Sequence, residues 1–359
     1  MRFWPALARQ GLLGASLALV LQSNAIAQKA PDATANQSAA DFYAGRRISL
    51  VVDSPAGGGY DTYGRVFARF YGNHLPGSPT IVVQNMPGAG GLVATNWLAE
   101  IAPRDGATIE ILSRSIPLAP LMGISAARFD PLQLSWLGSL NRELVVIFSW
   151  HSSGFDRFQD LQARQANIGV TGGTSDSMLW TRLINNLLGG KLNIITGYPG
   201  SDAVNLAIER GETNTATGSW SSLKARKPEW LRDRKINILA QFAMTRHPEL
   251  PDVPVLAELI PDQETRDVFD LFLAPQEMGR PFAAPPGVPA ERLAILRKAF
   301  MATAADPEFL KAAKGAGIDI DPVSGERMTE ILRRVYAMPA SVVARARAAS
   351  QADPGAAKK

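Results

Sequence analysis

The chain has 359 residues, 46% of them hydrophobic and 19% charged, with a formal net charge of +4. This is globular composition with enough length for two domains of ordinary size, and the excess charge is too weak to indicate a nucleic-acid partner. The absence of cysteine excludes disulfides, thiolate nucleophiles, thiolate metal sites and a lipidated N-terminal cysteine.

The first elements belong to export. Arg2 and Arg9 make a positive n-region, Gly11 to Leu21 an uncharged apolar run, and Ala25-Ile26-Ala27 a small-residue cleavage site. Together they predict a signal peptide over 1–27, with a short membrane anchor as the alternative. No later stretch reaches the roughly 18 apolar residues of a membrane span. Residues 28–45 are polar and Ala-rich, and read as a disordered leader; the tail 350–359 reads the same way.

Strands and helices then alternate. Ile48 to Val52 reads as a buried strand, followed by a Gly-rich turn and an amphipathic helix marked by Tyr63, Val66, Phe67, Phe70 and Tyr71. Thr80 to Gln84 is a second strand, Gly88 to Gly91 a second turn, and Ala94, Trp97, Leu98 and Ile101 a second helix. Thr108 to Leu112 and Leu144 to Phe148 complete the first run. The pattern restarts with a strand from Ala166 to Val170, a turn at Gly172 to Ser175 and a helix stripe from Trp180 to Leu188. Leu192 to Ile195 follows, then a turn at Gly197 to Gly200. Ser201 reads as the N-cap of a helix from Asp202 to Glu209, which Gly211 closes. Thr213 to Thr217 and Ile236 to Ala240 are further strands, and Asp306-Pro307 opens a late helix. Two runs of strand, glycine turn and helix predict an α/β protein with two lobes, each a doubly wound sheet flanked by helices.

In such sheets, ligands sit beyond the carboxyl ends of the strands. Glycine lets the backbone approach a ligand, and a helix start offers N–H groups at the positive end of its dipole. Four segments have this character: Ala56-Gly57-Gly58-Gly59-Tyr60-Asp61, Gly88-Ala89-Gly90-Gly91, Gly173-Thr174-Ser175, and Tyr198, Gly200 and Ser201. Ser113 and Ser115 follow a strand at the same end. These are the candidate ligand-binding residues; each turn alone is equally well explained as a tight βα connection. Asp61 can contact ligand or cap a helix starting at Thr62. Asp176 reads first as a cap or first-turn acid, and Arg114 as a counter-charge or a solvated surface arginine. Trp220 can wall a pocket or pack in a core. His74, His151 and His247 lie in no catalytic or metal motif. No catalytic residue, metal site or cofactor is expected.

At the turns, the sequence resembles the tricarboxylate-transporter solute receptors, the Bug or TctC-like family. The resemblance runs from about Arg46 to Leu332. It is carried by Pro55 to Asp61 with Arg65, Val82 to Asn85 with Pro87 to Gly91, Leu239-Ala240, Arg246, Leu250 to Pro254 with Glu258, and Ala283 to Pro289. It implies a periplasmic Venus-flytrap fold: lobe 1 over 46–148 and 272–349, lobe 2 over 149–271, and two crossing strands between them. It also implies a monomer that binds a small organic-acid or amide metabolite and delivers it to the membrane components of a tripartite transporter. The second-lobe half departs from the family pattern. Pro199 replaces a usual lysine, Met178 a common histidine, Glu209-Arg210-Gly211 a common Gly-Gly, and Asp176 adds an acid. This implies a ligand less acidic than a tricarboxylate, or one with an amine or amide at that end. Two other readings are a periplasmic sensor that docks a signalling receptor and a nucleotide-dependent oxidoreductase. The second is weak, because Thr62 stands where a dinucleotide turn needs its third glycine.

Overall fold

The computed structural model describes residues 41–171 and 175–351. The expected signal peptide, most of the leader, Gly172, Gly173 and Thr174, and the tail from 352 onward lie outside the described residues. No helix among the described residues is long and apolar enough to cross a membrane.

Among the described residues, eleven strands form two sheets. In chain order they are β1 (Arg47–Val52), β2 (Thr80–Asn85), β3 (Thr108–Ile111), β4 (Ser135–Ser139), β5 (Val145–Trp150), β6 (Ala166–Gly169), β7 (Leu192–Ile195), β8 (Thr215–Ser219), β9 (Ile236–Phe242), β10 (Pro281–Ala284) and β11 (Val323–Ser324). The first sheet has the order β11-β4-β10-β3-β1-β2, and the second β7-β6-β8-β5-β9. In each, three strands run parallel, β2-β1-β3 and β7-β6-β8, and antiparallel strands extend one side. The two-lobed α/β reading therefore stands, with mixed sheets. Ile48, Leu50, Val51 and Val52 are fully buried, as a central parallel strand covered on both faces requires.

The helices are α1 (Gly59–Tyr71), α2 (Leu92–Glu100), α3 (Phe158–Ala163), α4 (Asp176–Leu188), α5 (Ser201–Glu209), α6 (Trp220–Arg226), α7 (Pro228–Arg232), α8 (Leu256–Leu259), α9 (Gln263–Leu273), α10 (Ala290–Ala305), α11 (Pro307–Gly315), α12 (Gly325–Tyr336) and α13 (Ala340–Ser350). The stripe on α1 brings Phe67 against Tyr71, Phe282 and Phe300, with ring centroids 4.6, 4.7 and 5.2 Å apart. Burying each such ring stabilises the fold by about 1.5–3 kcal/mol. Beside the second sheet, Trp180 of α4 packs on Phe242 of β9 at 4.6 Å. Asp306 caps α11 by accepting the Glu308 N–H, with Pro307 at the first helical position.

Two chain segments cross between the sheets side by side. Leu140 N–H donates to Arg280 O at 3.1 Å, Gly279 N–H to Asn141 O at 3.0 Å, and Glu143 N–H to Gln276 O at 2.8 Å. A third tie comes from the end of the described chain. Arg182 Nη1 and Asn186 Nδ2 of α4 donate to the carbonyls of Ser350 and Ala349, at 3.0 and 2.9 Å.

Several boundaries differ from expectation. Asp41–Tyr43 is a 3-10 helix whose Phe42 and Tyr43 are buried, so the part of the leader that is described is anchored by aromatic packing. Ser350, assigned to a disordered tail, ends α13. β5, placed by sequence across the end of lobe 1, pairs with β8 and β9 in the second sheet, so the first crossing precedes Val145. β4, β10 and β11 are strands that the sequence pattern does not announce. β4 is Ser-Trp-Leu-Gly-Ser, but its two serines are buried with their hydroxyls donated to Pro285 O and Asn141 O, both at 2.8 Å. β10 begins with proline, a position that a strand tolerates.

Candidate functional site

The carboxyl ends of strands from both sheets face one cleft of about 600 Å³. On the first-sheet side, β1 runs into Asp53, Ser54 and Pro55, β2 into Pro87 to Gly91, and β3 into Ser113, Arg114 and Ser115. On the second-sheet side stand Gly169 at the end of β6, Thr171 after it, Ser175 to Ser177 at the start of α4, and Ser201 and Asn205 of α5. Thr217, Gly218 and Ser219 of β8 and Ser222 and Arg226 of α6 complete the wall. The lining is rich in hydroxyls and helix starts, where first-turn N–H groups lack intrahelical partners.

The Gly88–Gly91 turn needs its glycines. φ is 148°, 67° and 102° at Gly88, Gly90 and Gly91, and even Ala89 is driven to 46°. A Cβ on Gly91 would collide with Asp53 Oδ2, so backbone and carboxylate are packed as closely as the chain allows. Asp53 accepts from Ser54 Oγ and from the Ser113 N–H, each at 2.6 Å. Burial pushes its carboxyl above the usual range, outweighing those bonds. Behind it Glu110 is fully buried, accepts from Thr95 Oγ1 at 2.8 Å, and is pushed far higher by burial and by the Asp53 charge.

The first loop is pinned from within. α1 begins at Gly59, and Asp61 folds back to accept from the Gly57 N–H at 2.8 Å, Arg65 Nε at 2.9 Å and Asn85 Nδ2 at 2.8 Å. Burial works against the Asp61 charge, but the bonds from Arg65, Gly57 and Asn85 hold its carboxyl below the usual range. Asp61 is therefore neither a cap of a helix starting at Thr62 nor a wall of the cleft; it fixes the loop.

Arg114 is not a surface arginine. It is buried, ion-pairs with Asp176 at the start of α4, and lies 3.8 Å from Glu143. Its N–H donates to Tyr60 Oη at 3.0 Å. Glu143, on the first crossing segment, also lies 3.1 Å from Arg280 on the second and accepts from Ser219 Oγ at 2.7 Å. The Arg280 guanidinium sits over the Tyr60 and Tyr63 rings, at 4.7 and 4.8 Å. A chain of charges thus joins both sheets at the floor of the cleft.

Of the expected site residues, Tyr60, Gly88, Gly90, Gly91, Ser113, Ser115, Ser175 and Ser201 line the cleft. Ala56, Gly57, Gly58, Gly59, Ala89, Tyr198 and Gly200 shape its turns without lining it, and Gly173 and Thr174 lie outside the described residues. Ser175 caps α4 by accepting the Met178 N–H at 3.2 Å. Gly200, and not Ser201, is the N-cap of α5, and no side chain bonds there. Trp220 donates to Glu249 Oε2 at 2.6 Å and packs in a core cluster with Val204 and Leu223, without lining the cleft itself. Sequence reasoning missed Asp53, Thr171, Asn205, Thr217 to Ser219, Arg226, Glu143 and Arg280. Asp53, Thr171 and Ser219 end or follow strands, so the rule of binding beyond carboxyl ends reaches them; Glu143 and Arg280 had no such signal.

Known proteins share this architecture. BugT of Bordetella pertussis is 30% identical over 230 residues, 61% of this chain and 68% of BugT. The periplasmic binding protein BugD superposes with a TM-score of 0.63 at 21% identity, over 86% of this chain and 98% of its own. An R. palustris protein solved with adipate gives 0.65 at 22% identity, over 85% and 98%. The family model for the tripartite tricarboxylate transporter family receptor, TctC, matches residues 72–333. The chain belongs to that family of transporter receptors.

Proposed function

We propose that this receptor holds a small mono- or dicarboxylate between its lobes, as a monomer, and delivers it to the membrane components of a tripartite transporter. The observation that carries this reading is the convergence of glycine and serine turns from both sheets on one cleft. Hydrogen bonds to a charged group contribute about 1.5–3 kcal/mol each, so three or four could supply the roughly 8 kcal/mol of micromolar binding, less the cost of ordering. The adipate held by the R. palustris neighbour is of the same chemical class.

The charge pattern favours a ligand with fewer than three carboxylates. Asp176 pairs with Arg114, so that acid does not face a ligand as a bare negative charge, and Arg114 is equally committed. Arg226 lies 3.2 Å from Asp202. Amides and hydroxyls are left to bind, which suits one or two carboxylates better than three. Mass spectrometry of metabolite released on denaturing the purified protein, with a thermal-shift series of succinate, adipate, citrate and amides, tests this. Stabilisation by the first two above citrate is expected; citrate stabilising most, or no acid stabilising, would overturn it.

A further inference from the structure

A second cavity of about 310 Å³ adjoins the cleft and shares Gly90, Ser115 and Ser175 with it. Its character is different. Leu92, Ile116, Leu118 and Phe272, all buried, wall it together with Met122 and Leu179. Arg182 and the end of α13, Ser350 and Gln351, wall it as well, and none of these lines the main cleft.

Ser175, Leu179 and Arg182 stand at i, i+4 and i+7 and so share one face of α4. Seven residues of helix rise roughly 10 Å, which sets the span from the shared rim to Arg182. Arg182 donates from Nη1 to Ser350 O at 3.0 Å, and its buried Nε has no hydrogen-bond partner. No carboxylate lies within 4.0 Å of it among the described residues. An arginine has five N–H donors and stays charged, so a cation in an apolar wall without an acid favours an anionic guest.

We propose that this annex is a specificity subsite for the apolar chain of a medium-length α,ω-dicarboxylate. One carboxylate rests at the Gly90–Ser115 rim, the methylene chain fills the apolar walls, and the second carboxylate meets Arg182. The subsite extends the function proposed above and rests on it. Each buried methylene tightens binding by removing apolar surface from water, so affinity rises with chain length until Arg182 is reached.

Calorimetric titration of the full chain with succinate, adipate, suberate, sebacate and decanoate tests it. Sebacate or suberate should bind at least about tenfold tighter than succinate, and decanoate about tenfold weaker than sebacate, the loss of one charge-assisted bond. Arg182→Met should remove the preference for sebacate over decanoate and leave succinate binding near that of the unaltered protein. Equal binding of succinate and sebacate would overturn the subsite while sparing the parent reading. So would decanoate matching sebacate in the unaltered protein, a result that does not depend on any variant folding. If no acid in the series binds, both readings fall.

Discussion

On the first-sheet side of the cleft, the backbone is fixed by groups on that side alone. Asp61 ties Gly57, Arg65 and Asn85 together, and Asp53 packs against Gly91 while accepting the Ser113 N–H. Among the described residues, the second-sheet side has no comparable acid holding its turns from within. It presents Ser175, Ser177, Ser201, Thr217, Ser219 and Ser222, and the acid that lines it among the described residues, Asp176, is satisfied by Arg114 from across the cleft. The first wall is therefore formed before a ligand arrives, and the second takes part of its order from contact with the first. Preorganising one wall lowers the ordering cost that binding must overcome.

The sharpest way to break this comparison is to remove the shared cation. Arg114→Met leaves Asp176 and the buried Glu143 short of a partner, and breaking one side of a buried pair costs about 3–5 kcal/mol. A urea midpoint measurement should show that loss, and Asp176→Asn in the same chain should restore part of it. If Arg114→Met costs no more than a surface substitution, the two walls are not coupled through this pair.

The asymmetry also explains which parts were legible in the sequence. The first loop was readable because glycine and amphipathic spacing are local signals, and α1, β1 and β2 stand within a few residues of expectation. The family's functional character followed from the same turns. Arg114 was misjudged because its partners, Asp176 and Glu143, are distant in sequence, and arginine is ordinarily exposed. At Asp61 the expected helix start lies three residues too late, since a helix from Gly59 turns its carboxylate back on the loop. β4 and β10 were missed because serine, glycine and proline carry little strand signal, and only tertiary packing makes that backbone a strand. The second-wall residues Thr217 to Ser219 escaped because β8 ends two residues later than its apolar pattern implied.

A smaller effect sharpens the picture of the first wall. Gly91→Ala forces a Cβ onto the Asp53 carboxylate at a φ of 102°. Strain of that kind costs about 1–3 kcal/mol. Because the turn is the rim of the cleft, adipate binding by calorimetry should be lost while the circular dichroism spectrum is kept. Unchanged affinity would mean that the ligand sits elsewhere. Asp61→Asn should cost less, about 1 kcal/mol, because its remaining carbonyl still accepts from a donor of the loop. Its signature is faster proteolysis at Ala56–Gly59 with no change in the second wall.

The smallest effect has a sign that separates the two kinds of acid beneath this wall. Asp61, held below the usual range, contributes stability that is present above the ordinary carboxylate value of 3.8 and is lost as pH falls through its folded value. Glu110 does the opposite. Its folded carboxyl is held well above its ordinary value of 4.5, so the folded state binds the proton more tightly. Stability then falls as pH rises from 4.5 toward that folded value, and Asp53 adds to the same trend. Glu110→Gln keeps an acceptor for Thr95 and removes the ionisation. The variant should match the parent protein near pH 4.5 and gain on it steadily at higher pH, read as urea midpoints. An advantage that stays constant with pH would mean that Glu110 carries its charge comfortably in the folded state. The close packing of Asp53 against Gly91 would then owe nothing to a proton held behind it.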